Sequence, residues 1–191
     1  MANEGRVKGM LLISRMKYLR AHGAGAMRAA LASLPPSDRE LLDGTMLLPS
    51  LWYPAEILDR LDEAIATSLA DGERSAVLLD VGHFSADLNL GPAGVLRAWV
   101  RENDPHALLR EVPRIHASLH GGAERAYERT GDRSAIVRAA RVDGREGNDC
   151  LTTVGWLRRA IELCGGRDVQ VLEAGCLSKG GACCEYRCEW R

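Results

Sequence analysis

The chain is poor in aromatic residues and in net charge, and through most of its length it has no cysteine. A single Phe, four Trp and four Tyr occur among 191 residues, so any aromatic proposed for a ligand pocket competes with the needs of packing. Lys and Arg number 25 against 26 Asp and Glu, a formal net charge of -1. A basic footprint for nucleic acid is therefore absent, which argues against direct DNA binding. No apolar run approaches the roughly twenty residues of a bilayer span. The opening run Gly9-Met10-Leu11-Leu12-Ile13-Ser14 is too short for a secretory core and leads into Arg15, Lys17 and Arg20, so a cytoplasmic location is expected. Gly23-Ala24-Gly25 has no strand before it and makes no nucleotide fingerprint. No repeat, low-complexity tract or linker divides residues 1–191, and 46% hydrophobic content suffices for one core. The expectation is a single domain, mainly helical over 1–120.

What the first 149 positions lack, the last forty-odd supply. All six cysteines lie there: Cys150, Cys164, Cys176, Cys183, Cys184 and Cys188. Cys150 opens a helical pattern, because Val154, Leu157, Ile161 and Cys164 follow at intervals of four, three, four and three on one face. After Gly165-Gly166 stops that helix, Val169 to Glu173 reads as a strand and Leu177 to Gly181 as a hairpin turn. On the return strand, Cys184, Tyr186, Cys188 and Trp190 alternate with Cys183, Glu185, Arg187 and Glu189, which turns the first set inward. Four donors then converge: Cys150, Glu173, Cys176 and Cys184. Three thiolates and a carboxylate suit Zn²⁺. Two other readings stand beside this one. The thiols form disulfides if the chain is exported. Alternatively some are small buried hydrophobes, Cys164 and Cys188 above all. Cys183 rivals Cys184 if a bulge exchanges the two faces.

The spacing of Cys150, Glu173, Cys176 and Cys184, the Gly-Gly stop between them and the Cys-x-Tyr-x-x-x-Trp ending resemble the 4-vinyl reductase domain. Arg6-Val7-Lys8-Gly9, Leu51-Trp52-Tyr53-Pro54 and Gly155-Trp156 resemble a stand-alone group of that family from myxobacteria. The resemblance implies a structural zinc on Cys, Glu, Cys and Cys, as in the bacterial aromatic-sensing activators. It also implies an α+β fold with helices on an antiparallel sheet, like that of heme-nitric-oxide-binding domains and of TRAPP tethering subunits. With it comes an expected role: a non-enzymatic sensory or regulatory module that binds a small apolar molecule. A TRAPP-like dimeric interaction subunit is the alternative, and an accessory subunit of a reductase a weaker one. A protein partner is expected, with a homodimer in view. Lys179, Arg158 and Arg187 are the candidates for screening the negative metal site.

In chain order, helices are expected from Met10 to Gly23 and from Ala24 to Leu34. A short one is expected from a capping box of Ser37 and Glu40 through Leu42. Pro54 is placed to start a further helix whose inner face is Ile57, Leu58, Leu61, Ile65 and Leu69, running to about Ala70. Two or three helices fill residues 75–120, with Val95 to Val100 buried between them. Asp104 caps the last, and its inner face is Leu108, Leu109, Val112 and Ile115. His116 and His120 are read as a solvated helix end closed by Gly121-Gly122. Strands then run from Ala123 to Arg129 and from Ser134 to Val142, so the C-terminal half has the order β-β-α-β-β. Trp99, Tyr127 and Trp156 are the candidates for a ligand pocket, each also acceptable as plain core. His106 has no assigned role.

Overall fold

The computed structural model describes residues 3–69, 73–141 and 149–191. The helix end expected at Ala70, the strand end at Val142, and Asn148 lie outside the described residues. Along the chain run β1 (Arg6–Lys8), α1 (Gly9–Ala21), α2 (Gly23–Ser33), α3 (Pro36–Arg39), β2 (Trp52–Pro54), α4 (Ala55–Leu69), α5 (Arg74–Leu90) and α6 (Pro105–Leu119). The second half comprises β3 (Ala123–Gly131), β4 (Ser134–Arg141), α7 (Asp149–Leu163), β5 (Gln170–Gly175) and β6 (Cys184–Glu189). This is the expected α+β arrangement, with helices against an antiparallel sheet of order β3-β4-β6-β5.

The sheet alternates as its sequence does. Ala135, Val137, Cys184, Tyr186 and Cys188 are buried on the inner face, packed with Leu157 and Ile161 of α7. On the outer face Arg138 joins Glu128 at 2.6 Å and Glu185 at 2.8 Å across three strands. Cross-strand register sets Glu173 opposite Tyr186, and Tyr186 opposite Val137. Glu173 therefore shares the inner face with the cysteines of β6. Gly165, at φ +92°, ends α7, and the Gly166 N–H bonds back to the Ile161 carbonyl at 3.0 Å, the αL stop that the Gly-Gly pair signalled.

Two glycines bring α7 against α5. A Cβ on Gly82 would stand 2.0 Å from the Thr152 carbonyl oxygen, and one on Gly155 would stand 1.9 Å from that of Leu79. The helices thus meet backbone to backbone, an approach that any larger side chain would block. This contact fixes where α7 lies, and α7 carries Cys150 at its first turn and Thr152, Thr153 and Trp156 behind it.

Several local expectations fail for definable reasons. No Ser37 capping box forms: α3 starts at Pro36, whose fixed φ suits a first helical position, and Ser37 lies inside it and reaches only Asp38, at 3.5 Å. A π-type turn over Glu40–Gly44 follows. Trp52 to Pro54 pair with Arg6 to Lys8 as a short ribbon, so α4 begins one residue later than expected, at Ala55. Val95 is 74% exposed, and only Val100 of that segment is fully buried, with Leu96 and Trp99 packed partly buried against the core. The Asp104 cap forms as expected, its carboxylate accepting from the Ala107 N–H at 3.0 Å.

The helix crossing yields a paired prediction. Gly155→Ala, which forces the backbones apart, should destabilise by about 1–3 kcal/mol or more. Gly25→Ala, with nothing within 4 Å of the added carbon, should be neutral or stabilise by about 0.5–1 kcal/mol. Denaturant midpoints measure both, and equal midpoints for the two variants would refute the close crossing.

Candidate metal centre and interior cavity

Three of the four expected donors come together. The sulfurs of Cys150, Cys176 and Cys184 all lie within 4.8 Å of one another, with Cys150 at 3.6 Å from Cys176 and 3.4 Å from Cys184. A disulfide needs about 2.05 Å, whereas sulfurs at tetrahedral corners around zinc, with Zn–S near 2.3 Å, stand about 3.8 Å apart. The observed spacing matches the second case. Each donor has its own element: Cys150 the first turn of α7, Cys176 the residue after β5, Cys184 the start of β6. Cys183, half-buried, is outside the cluster.

Glu173 is the fourth. It lies outside the tight sulfur group, yet its carboxyl interacts with the thiols of Cys150 and Cys176. Its Oε1 is buried without a hydrogen-bond partner at bonding geometry, while its Oε2 accepts from Lys179 Nζ at 2.8 Å. Burial acts to raise the Glu173 pKa, but the bonds from Lys179, Cys150 and Cys176 outweigh it and hold the carboxyl below its ordinary value. Of the three cations named from sequence, Lys179 pairs with Glu173, Arg158 with Glu162 and Arg187 with Glu185.

Electrostatics opposes ionisation of Cys150. Burial pushes the Cys150 thiol far above the ordinary thiol range; the Tyr186 hydroxyl pulls it back, and Glu173 and Cys184 push it further up. Three thiolates and a carboxylate cannot all ionise at this separation unless a positive ion sits among them. The Leu177 N–H points to Cys184 Sγ at 3.5 Å, and Ser178 Oγ lies 2.9 Å from Cys176 Sγ. Burial alone lifts Cys188 to about 12, and burial chiefly lifts Cys164, so both remain neutral small hydrophobes.

The aromatic candidates separate. Trp156 lines an interior cavity of about 70 Å³ between α1, α4, α5, α6, α7 and β3. Trp99 instead lies under the Arg114 guanidinium, 5.2 Å from its ring centre. Tyr127 is tied to His106, whose Nδ1 is 2.8 Å from the Tyr127 hydroxyl and whose Nε2 is 3.0 Å from the Asp132 carbonyl oxygen. His106, without a role from sequence, is thus the bridge between α6 and the β3–β4 turn.

His116 and His120 overturn the solvated-end reading. His116 is buried, its ring stacks on that of His120 at 4.1 Å with 6° between planes, and both line the cavity. The end of α6 is drawn inward because the N-terminal strand docks on it, with the Gly121 N–H donating to the Arg6 carbonyl at 2.8 Å. Arg15 makes the opposite wall. Its guanidinium grips Asp62 through Nε at 2.8 Å and Nη2 at 3.1 Å, and Nη1 reaches Ser85 Oγ at 3.1 Å. Sequence hinted at this pair only as a charge on each of two otherwise apolar helix faces.

No family model and no curated protein matches the chain. Its likeness is to solved structures. An H-NOX protein from S. oneidensis in the Fe(II)NO ligation state superposes with TM-score 0.74 at 13% identity, over 96% of this chain and 99% of that one. A mutant H-NOX protein from K. algicida, Fe(II) unliganded, gives 0.69 at 9%, over 96% of each. A structure from work on heme distortion in the H-NOX family gives 0.71 at 12%, over 96% and 95%. At such identities the likeness establishes the fold. Heme itself does not fit the residues present. A macrocycle needs a slot of several hundred Å³ facing an axial donor, and this cavity holds about 70 Å³ with its two imidazoles stacked on each other. A second hollow of about 640 Å³, on another face of α5 and α7 along β5, is a surface groove. Its imidazole, His83, sits between the Asp87 and Glu162 carboxylates at 3.4 and 3.8 Å.

Asp62→Ala should strand the Arg15 charge among α1, α4 and α5. Both side chains are about 5% exposed or less, so a loss of roughly 3–5 kcal/mol is expected. Urea unfolding measures it, and a loss below about 1 kcal/mol would mean that the pair is hydrated rather than buried.

Proposed function

We propose that this chain is a non-enzymatic sensory or regulatory module that takes a small molecule between its helices and sheet. A structural zinc on Cys150, Glu173, Cys176 and Cys184 fastens the β5–β6 hairpin to α7. The observation that supports the metal is the close spacing of the three sulfurs beside the Glu173 carboxyl, which interacts with the thiols of Cys150 and Cys176. Four protein donors fill the zinc shell and leave no position for a reacting water, which favours a structural role over a catalytic one. The small-molecule role rests on the interior cavity, with Trp156 in its wall, and on a fold shared with proteins whose described states are ligation states.

A second reading, an interaction subunit or homodimer, has its own support. Met46, Leu48 and Leu51 are exposed together before β2, Met46 by 83%, an apolar loop suited to burial by a protein partner. If a second copy covers it, the wild type sediments as a dimer and the Met46→Asp/Leu51→Asp variant as a monomer. A monomeric wild type would dismiss self-association.

The zinc reading is tested by elemental analysis of reduced protein and by thiol titration before and after denaturation. About one zinc per chain is expected, with the three clustered thiols protected until unfolding. Cys176→Ser should lose metal and melt at a markedly lower temperature, because structural zinc binding, of order 10 kcal/mol in small domains, is folding free energy. Cys164→Ala should keep its zinc. Metal-free protein with every thiol open to reagent would overturn the reading, and loss of zinc from Cys164→Ala would overturn the donor set.

A further inference from the structure

Deepening the reading of the sulfur cluster as a metal centre, we propose that Cys150, Cys176 and Cys184 also form a site for a trivalent metalloid supplied as its hydroxide, the class of arsenous acid. The donor set points there. Among the described residues, the donor atoms gathered within 4.8 Å of one another are these three sulfurs. Glu173 stands outside that group, with its Oε2 accepting from Lys179 Nζ at 2.8 Å. The preformed part of the site is therefore a triangle of thiols. An element that makes three bonds and keeps a lone pair needs no more than that, whereas zinc needs Glu173 drawn in to complete four donors.

Charge separates the candidate occupants. Cys176 and Cys184 are 5% and 8% exposed, and Cys150 is half-buried, so a complex with net charge carries a desolvation penalty at this place. Three thiolates cancel a trivalent centre and leave a neutral complex. Around zinc the same three leave a negative one, and the carboxylate of Glu173 makes it more so. A monovalent soft ion such as Cu(I) leaves a larger negative charge still. With the metalloid on the sulfurs, Glu173 keeps Lys179 as its counter-ion.

The reaction needs no oxidant and no reductant. Each As–O bond of As(OH)3 is exchanged for an As–S bond; the departing hydroxyl takes the proton of the attacking thiol and leaves as water, and arsenic stays trivalent throughout. Entry is from the turn between β5 and β6, where Ser178 to Gly180 are exposed beside Cys176. The cluster is then an input site as well as a fastener.

Reduced protein is titrated with sodium arsenite, as purified and again after treatment with a zinc chelator. Intact mass, a native thiol count and X-ray absorption at the arsenic edge follow the product. One arsenic per chain is expected, with three hydrogens lost and a shell of three sulfurs without oxygen. Glu173→Gln should hold arsenite as the wild type does, while its zinc affinity falls by about tenfold or more. Cys183→Ser should bind arsenite unchanged, and Cys184→Ser about tenfold or more weaker. Should Cys184→Ser fail to fold, the arsenic shell of the wild type still decides. A shell of two sulfurs and one oxygen, or lost binding in Cys183→Ser, would move arsenic to the adjacent Cys183 and Cys184 and overturn the proposal. Protein that binds zinc but takes no arsenite after chelation would overturn this inference alone. Three-sulfur arsenic in a chain that holds no zinc would leave it standing and remove the zinc reading.

Discussion

The backbone contact between α5 and α7 is the constraint on which the rest depends. Gly82 and Gly155 let two helices approach until carbonyl oxygens occupy the space of side chains, and α7 is thereby held at one depth between the helical layer and the sheet. Its first turn then delivers Cys150 to the sulfurs of Cys176 and Cys184, and its next turn delivers Thr153 and Trp156 to the cavity. One helix serves both sites.

A single close contact holds one helix well but does nothing for the hairpin beyond it. The β5–β6 connection is short and polar, its turn residues Ser178 to Gly180 are exposed, and β5 is an edge strand with exposed Leu172 on its outer side. Edge strands of this length are weakly held by hydrogen bonds alone. The thiol cluster brings residues from α7, from the end of β5 and from the start of β6 to one point, where the proposed metal would tie them. Ionising the cluster carries an electrostatic cost, which the proposed divalent cation would offset.

Legibility from sequence followed the reach of the interactions. The alternation in Cys184 to Trp190, the helical period from Cys150 and the Gly165-Gly166 stop are local rules, and each appears in the structure at the expected place. The spacing of Cys150, Cys176 and Cys184 became a cluster of three sulfurs because a helix, a stop and a hairpin fix the path between them. What stayed hidden depends on partners far along the chain. Arg15 meets Asp62, 47 positions on, and His106 meets Tyr127, 21 positions on. The glycine pair of α5 and α7 could have been suspected, since a glycine inside a helical pattern costs about 1 kcal/mol and asks for a packing reason. His116 was misread because the dipole argument for a helix end omits the N-terminal strand that covers it.

Three sulfurs and one carboxylate around a single ion would join α7, β5 and β6 at one point, and X-ray absorption at the zinc edge of the purified, reduced protein measures that inner shell directly. Three sulfurs at about 2.3 Å with one oxygen at about 2.0–2.2 Å is the result this account predicts. A shell of nitrogen and oxygen alone, a shell of four sulfurs, or no zinc in folded protein would contradict it.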